Sequence, residues 1–150
     1  MEEPLDKQVE QVLAEARMVL PGIQALFGFQ LVAVFNQRFA EALDHAQQYA
    51  HLGALGLTAV ATALLMTPAS YHRRVEPGRV SHQLVRVGTQ CLNLAMLPLL
   101  AAIGIDFYLI AHIIVGQPGV PAVLTALLVL IFAALWYGLP AVMGARRHDR

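Results

Sequence analysis

Four runs of this chain, at about residues 18–35, 52–67, 87–115 and 120–143, are almost free of charge. A helix needs about 20 such residues to cross the roughly 30 Å hydrocarbon layer of a bilayer, and the second run reaches that only by borrowing a turn at one end. Lipid admits only helices and closed barrels, since no water is present to satisfy an open backbone. None of the runs shows the two-residue alternation of a barrel strand. Composition points the same way: 57% of the chain is hydrophobic and 13% charged, against roughly 25% charged in ordinary soluble domains. A water-soluble domain of this size would have too few charges to cover its surface. The expected fold is all-α, a four-helix transmembrane bundle in one domain over residues 18–145, with a basic tail at 146–150.

The segments between the runs complete this outline. In residues 1–17, Leu5, Val9, Val12, Leu13 and Ala16 recur at helical spacing, with Asp6, Lys7, Glu10 and Arg17 on other faces. This is an amphipathic juxtamembrane helix, expected either to lie in the headgroup zone, bending near Pro21, or to project into water as a pairing surface. MEEPLDKQVEQVLAEARMVL opens with acids rather than a basic patch, so the first run is expected to be retained and not cleaved as a signal. Residues 36–51 carry a weak stripe of Phe39, Leu43 and Ala50 and are expected to prolong the second helix beyond the lipid. TPASYHRRVEPGRVSH, 67–82, is polar and proline-rich and reads as a surface loop, while GQPG at 116–119 reads as a tight turn joining helices three and four as a hairpin.

Basic residues set the expected orientation. Lys7 and Arg17 precede the first run, Arg73, Arg74, Arg79 and Arg86 lie between the second and third, and Arg146, Arg147 and Arg150 follow the fourth. Only Arg38 of the ten lies on the other side. The positive-inside rule then places both termini and the 67–86 segment of this multi-pass chain in the cytoplasm.

The segments GIQALFGFQL (22–31), NQRF (36–39) and TPASYHRR (67–74) resemble a family of small bacterial four-helix integral membrane proteins catalogued as a domain of unknown function. That family is sometimes labelled a sodium:proton antiporter. The resemblance implies a membrane bundle and carries no catalytic residues to this chain.

Asp106, within AAIGIDFYLIAHIIVG, is the residue most in need of explanation. The third run is about 29 residues, roughly 43 Å, so the acid falls either near the bilayer midplane or at its outer edge, depending on register. At the centre an ionised carboxylate costs at least about 2.5 to 3.5 kcal/mol. No Lys or Arg lies in any run to pair with it, so desolvation favours the protonated, exchangeable form. The competing reading is a purely structural hydrogen bond to a neighbouring helix. His112 stands roughly 120° round the helix from Asp106 and shares a face with Tyr108 instead. Gln24 and Gln30 in the first run read as buried amides, and Asn93 with Arg86 and Gln90 as a polar stripe entering the third.

Asp106, His112, Gln24, Gln30 and Asn93 are therefore the candidate ion or proton pathway, weighed against ordinary polar adhesion between helices. Arg73, Arg74, Arg146 and Arg147 are candidate contacts for anionic lipid or a partner protein. Thr58 and Thr62, with the small residues around them, place the second helix near the bundle centre, and Trp136 and Tyr137 read as interface anchors. His45 and His51 lie on the same side as His112, but no metal-ligand spacing links them, and no metal or other cofactor is expected. The single Cys91 excludes an internal disulfide, and a net charge of zero argues against nucleic acid. With no phosphate loop, nucleophile elbow or paired carboxylates, an enzyme is not expected. Two functions remain: an ion or proton carrier that works as a homo-oligomer within the lipid bilayer, or a non-transporting scaffold that binds a partner through its N-terminal helix and basic loop.

Overall fold

A computed structural model describes residues 4–75 and 81–148, with the side chains of residues 142 and 145–148 outside the described set. Helix α1 spans Leu5–Val34, α2 Gln37–Ala42, α3 His45–Val75, α4 His82–Val115 and α5 Gly119–Ala133; a π-helical turn, Ala134–Gly138, then leads into α6, Leu139–His148. No strand occurs among the described residues. Four of the helical stretches, Leu5–Val34, His45–Val75, His82–Val115 and Gly119–Ala141, are long and apolar enough to cross a membrane.

The seams between helices repeat at three- and four-residue intervals. In α1 the buried side chains are Val9, Val12, Ala16, Ile23 and Gln30. In α3 they are His51, Ala54, Thr58, Ala61, Leu65 and Pro68, and in α4 they include Leu84, Gly88, Ala95, Leu99, Ala102 and Leu109. Seven-residue spacing keeps one stripe against its neighbours, which is the geometry of left-handed helix packing. Small residues, Ala16, Ala54, Thr58, Ala61, Gly88, Ala95 and Ala102, recur along the stripe and allow close approach of the helices. At Gly88 an added Cβ would overlap Val12 Cγ1, with Pro68 Cβ beside it. At Gly104 it would stand 3.1 Å from Val129 Cγ2 of α5.

These contacts set the topology. Val12, Pro68 and Gly88 bring together the start of α1, the end of α3 and the start of α4, so α1 and α4 run parallel with α3 antiparallel between them. We call this the proximal end, because α1 starts there; the other is the distal end. The α4–α5 turn is at Gly116, whose φ of 72° is left-handed and suits a residue without Cβ. Pro121 sits in the first turn of α5, where its missing N–H costs nothing. Midway along the bundle Ile23, Ala61, Leu65, Ala95 and Leu99 form an apolar cluster, and Trp136 of the π turn leans on it with Phe132 edge-on at 4.9 Å. Trp136 is thus half-buried against the core, while Tyr137 beside it is exposed.

Several segments differ from the sequence expectation in ways that matter for the site. Residues 5–34 form one helix through Pro21, and Val9, Val12 and Ala16 of the N-terminal stripe are buried against the other helices of the bundle. The same spacing that makes a helix amphipathic toward a headgroup layer also fits a neighbouring helix. Residues 67–75 continue α3 through buried Pro68, with Thr67 Oγ1 donating to the Ala63 carbonyl at 2.9 Å; the centre of the expected loop, 76–80, lies outside the described residues. Asn36 and Asp44 break the distal chain into two helices. Asn36 Oδ1 accepts from Arg38 N at 3.1 Å. Asp44 and Gln47 exchange backbone-to-side-chain hydrogen bonds at 2.8 and 3.1 Å, a reciprocal capping box that starts α3 at His45.

Candidate functional site

The early start of α3 decides what surrounds Asp106. With His45 as its first residue, the buried stripe runs back from Thr58 and Ala54 to His51, which is 7% exposed. Asp106 fills the gap in the α4 stripe between Ala102 and Leu109, and Gln30 is the last buried position of α1. Three core positions on three helices, all at the distal end, are thus polar and meet in one layer.

His51 Nδ1 stands 3.0 Å from Asp106 Oδ1. Its other nitrogen, Nε2, donates to the Gln30 backbone carbonyl, also at 3.0 Å. Gln30 Nε2 donates to Asp106 Oδ2 at 2.6 Å, while Gln30 Oε1 is buried without a hydrogen-bond partner. The Phe39 ring of α2 lies edge-on to His51, with centroids 5.1 Å apart. The side chains of His51 and Asp106 are 8% and 13% exposed.

Proton positions follow from this geometry. A carbonyl can only accept, so the His51 nitrogen facing Gln30 carries hydrogen. The hydrogen between Nδ1 and Oδ1 then belongs to imidazolium and carboxylate or, one short transfer away, to imidazole and carboxylic acid. Both arrangements are neutral overall, which is the condition for a buried acid to persist where water is excluded. Loss of that hydrogen would set the Nδ1 lone pair against a carboxylate. Asp106 therefore has a titratable hydrogen-bond partner in His51, whereas the sequence expectation, with no Lys or Arg in the runs and His51 placed beyond the lipid, leaves it without one.

Of the other pathway candidates, Gln30 joins Asp106, and Gln24, Asn93 and His112 do not. Gln24 is exposed, roughly 100° round α1 from the buried stripe that includes Ile23. Asn93 is exposed, roughly 20 Å of helix away from Asp106, beside Glu15, Met96 and Trp136 in a proximal groove. His112 stacks on Tyr108 at 5.9 Å, with its Nδ1 buried and unpartnered. Arg73 and Arg74 are exposed in the last turn of α3, where positive charge complements the helix dipole. Arg146 and Arg147 belong to α6, with their side chains outside the described residues. Among the described residues no cluster of three His, Cys, Asp or Glu side chains could enclose a metal ion.

The layer opens on a cavity of about 190 Å³, walled by Leu26 and Phe29 of α1, Phe39 and Leu43 around α2, and Leu109 and Ile110 of α4. On its proximal side the layer meets the apolar cluster around Ile23 and Leu65. Thr58 is fully buried between the two, and its hydroxyl is engaged with the Ala54 carbonyl at 3.0 Å. The polar layer is thus approached from the distal side and backed by hydrocarbon.

The chain belongs to a family of unknown function (DUF6328), whose model matches residues 1–140. That match agrees with the domain of unknown function in the resemblance; neither the membrane description nor the sodium:proton antiporter label comes with it. Neither a curated protein nor a solved structure matches the chain.

Proposed function

We propose that this is a multi-pass protein of the bacterial inner membrane whose Asp106–His51–Gln30 layer is a proton-exchange site. The observation that carries this reading is that both ring nitrogens of His51 face oxygen, one of them an acid, at 3.0 Å. Such a pair holds a hydrogen between two groups of the kind that exchange protons, in surroundings that penalise either charge alone. The excess of basic residues at the proximal end supports cytoplasmic termini and a layer in the outer half of the membrane. Movement of protons, or of a monovalent cation in exchange, then requires the apolar cluster at Ile23, Ala61 and Leu65 to rearrange. Four spans leave little room for two alternating halves, which favours a homo-oligomer.

Reconstituted vesicles carrying a pH dye test this directly. Under imposed Na⁺, K⁺ and proton gradients the wild type is expected to move protons, and Asp106→Asn to lose that flux. Wild-type flux no higher than that of empty vesicles under every gradient removes the transport reading. The scaffold reading draws on α5, whose exposed Val123, Leu127, Leu130 and Ile131 leave a long apolar face open to lipid or another chain. Its N-terminal docking stripe, however, is already used inside the bundle, which leaves Arg73 and Arg74 as its described contacts.

A further inference from the structure

Helix α1 is held to the bundle by two different devices at its two ends, with a weakened point between them. Its proximal half buries Val9, Val12 and Ala16, and Val12 fits the space left by Gly88 beside Pro68. Beyond Pro21 the only buried residues are Ile23 and Gln30, while Phe29, Val32 and Val34 are 75%, 66% and 47% exposed. Gln30 alone supplies the distal hydrogen bonds, one from its amide to Asp106 and one to its carbonyl from His51. Between clamp and latch lies Pro21, exposed and followed by Gly22, so the Arg17 carbonyl has no N–H to accept from within the helix. Helices bend most readily where that ladder is already interrupted.

We infer that α1 is a hinged lever whose distal half, from Pro21 to Val34, swings away from α4 when the Asp106–His51 pair loses its shared proton. This rests on the proton-exchange reading of the layer and adds a conformational output to it. With the proton in place every group of the layer is neutral or paired, and α1 is latched. Without it a lone pair faces a carboxylate in an apolar wall, and hydration of that carboxylate requires the crevice between α1 and α4 to open. The groups facing His51 are Gln30 from α1, Phe39 from α2 and Asp106 from α4, with His45, Gln48 and Tyr49 of α3 along the adjoining crevice. No Lys or Arg lines either crevice. Arg38 and Glu41 of α2 line a neighbouring crevice that shares Ala33, Phe39 and Ile113 with the cavity, and their opposite charges add no net positive charge to take the proton's place. The apolar cavity of about 190 Å³ behind Phe29 and Ile110 is where the opening begins.

Two readouts on the full-length protein in nanodiscs separate the lever from the titration it depends on. Hydrogen exchange at the imidazole C2 position, followed by mass spectrometry, reports the titration of His51 individually. Spin labels at Phe29→Cys and Ile110→Cys, in a Cys91→Ser background, report the distal α1–α4 distance, and labels at Glu15→Cys and Met96→Cys the proximal one. As pH rises through the His51 transition, the distal distance is expected to lengthen by roughly 4 Å, the displacement of a point about 12 Å beyond a hinge that opens by about 20°. The proximal distance stays fixed. Gln30→Leu, which removes the amide latch in apolar form, is expected to show the long distal distance on both sides of the transition, with His51 still titrating. Pro21→Ala is expected to reduce the swing while leaving the titration in place. An unmoved distal pair across a clear His51 transition overturns the lever and leaves the proton site standing. Absence of any His51 transition overturns both.

Discussion

At the proximal end α1, α3 and α4 meet through Val12, Pro68 and Gly88, a contact without a charge or a side-chain hydrogen bond. At the distal end the same three helices meet through Gln30, His51 and Asp106, a contact made almost wholly of hydrogen bonds. Both occupy the same heptad-like seam, yet they fail in opposite ways. A shape contact is lost when an atom is added. A polar layer is lost when one partner is removed, because the remaining partner is left buried and unpaired. Dry surroundings make the second loss the greater.

Removing one member of the distal layer is therefore expected to have the largest effect. His51→Ala leaves Asp106 buried without its partner and should cost about 3 to 5 kcal/mol, read as a lowered denaturation midpoint in detergent. Replacing both partners, His51→Leu with Asp106→Leu, should recover most of that loss, since a well-packed apolar pair is often as stable as a buried ionic one. If the double variant is no better than the single, the layer holds the bundle by shape and the contrast between the two ends disappears.

Second in size comes the proximal contact. Gly88→Ala places a methyl group on Val12 and should destabilise by roughly 1 to 3 kcal/mol. Val12→Ala in the same chain should restore part of it, because neighbouring substitutions couple. Equal loss with and without the Val12 change would show that the two side chains do not compete for the same space.

Smaller again is the cap that sets where α3 begins. Asp44→Ala removes one side of the reciprocal bond with Gln47 and should cost about 1 kcal/mol. It should also loosen the start of the helix that carries His51, seen as faster amide exchange over residues 45–48. Thr58→Val is expected to change stability by less than about 1 kcal/mol, since that hydroxyl bonds only within its own helix. A large loss there would mean that the polar layer extends deeper than His51.

Reading the sequence was sufficient for what depends on local chemistry and length. The four apolar runs and the turn at 116–119 follow from residue size, length and turn chemistry, and the structure has them. Thr58 is buried as its small-residue surroundings suggest, but the helix that touches α1, α3 and α5 alike is α4. Two signals were present but needed a combination of cues. Asp44 followed by Gln47 is a capping pattern that starts a helix at His45, and with that start the stripe through Ala54 and Thr58 extends to His51. Treating residues 36–51 as an extension of the second helix hid both, because a histidine outside the lipid needs no partner. Gln24 shows the reverse: an amide in an apolar run is equally consistent with either face of the helix, and here it faces outward.

The sequence by itself determined that the chain is helical and mostly apolar, with an acid in its third long run that needs a partner. Which partner was decided by tertiary structure alone. Asp106 is separated from His51 by 55 residues and from Gln30 by 76, and no local periodicity relates positions on three different helices. Only the axial alignment of α1, α3 and α4 puts their polar positions at one height, and that alignment is set by close contacts such as Val12 on Gly88 at the other end of the bundle.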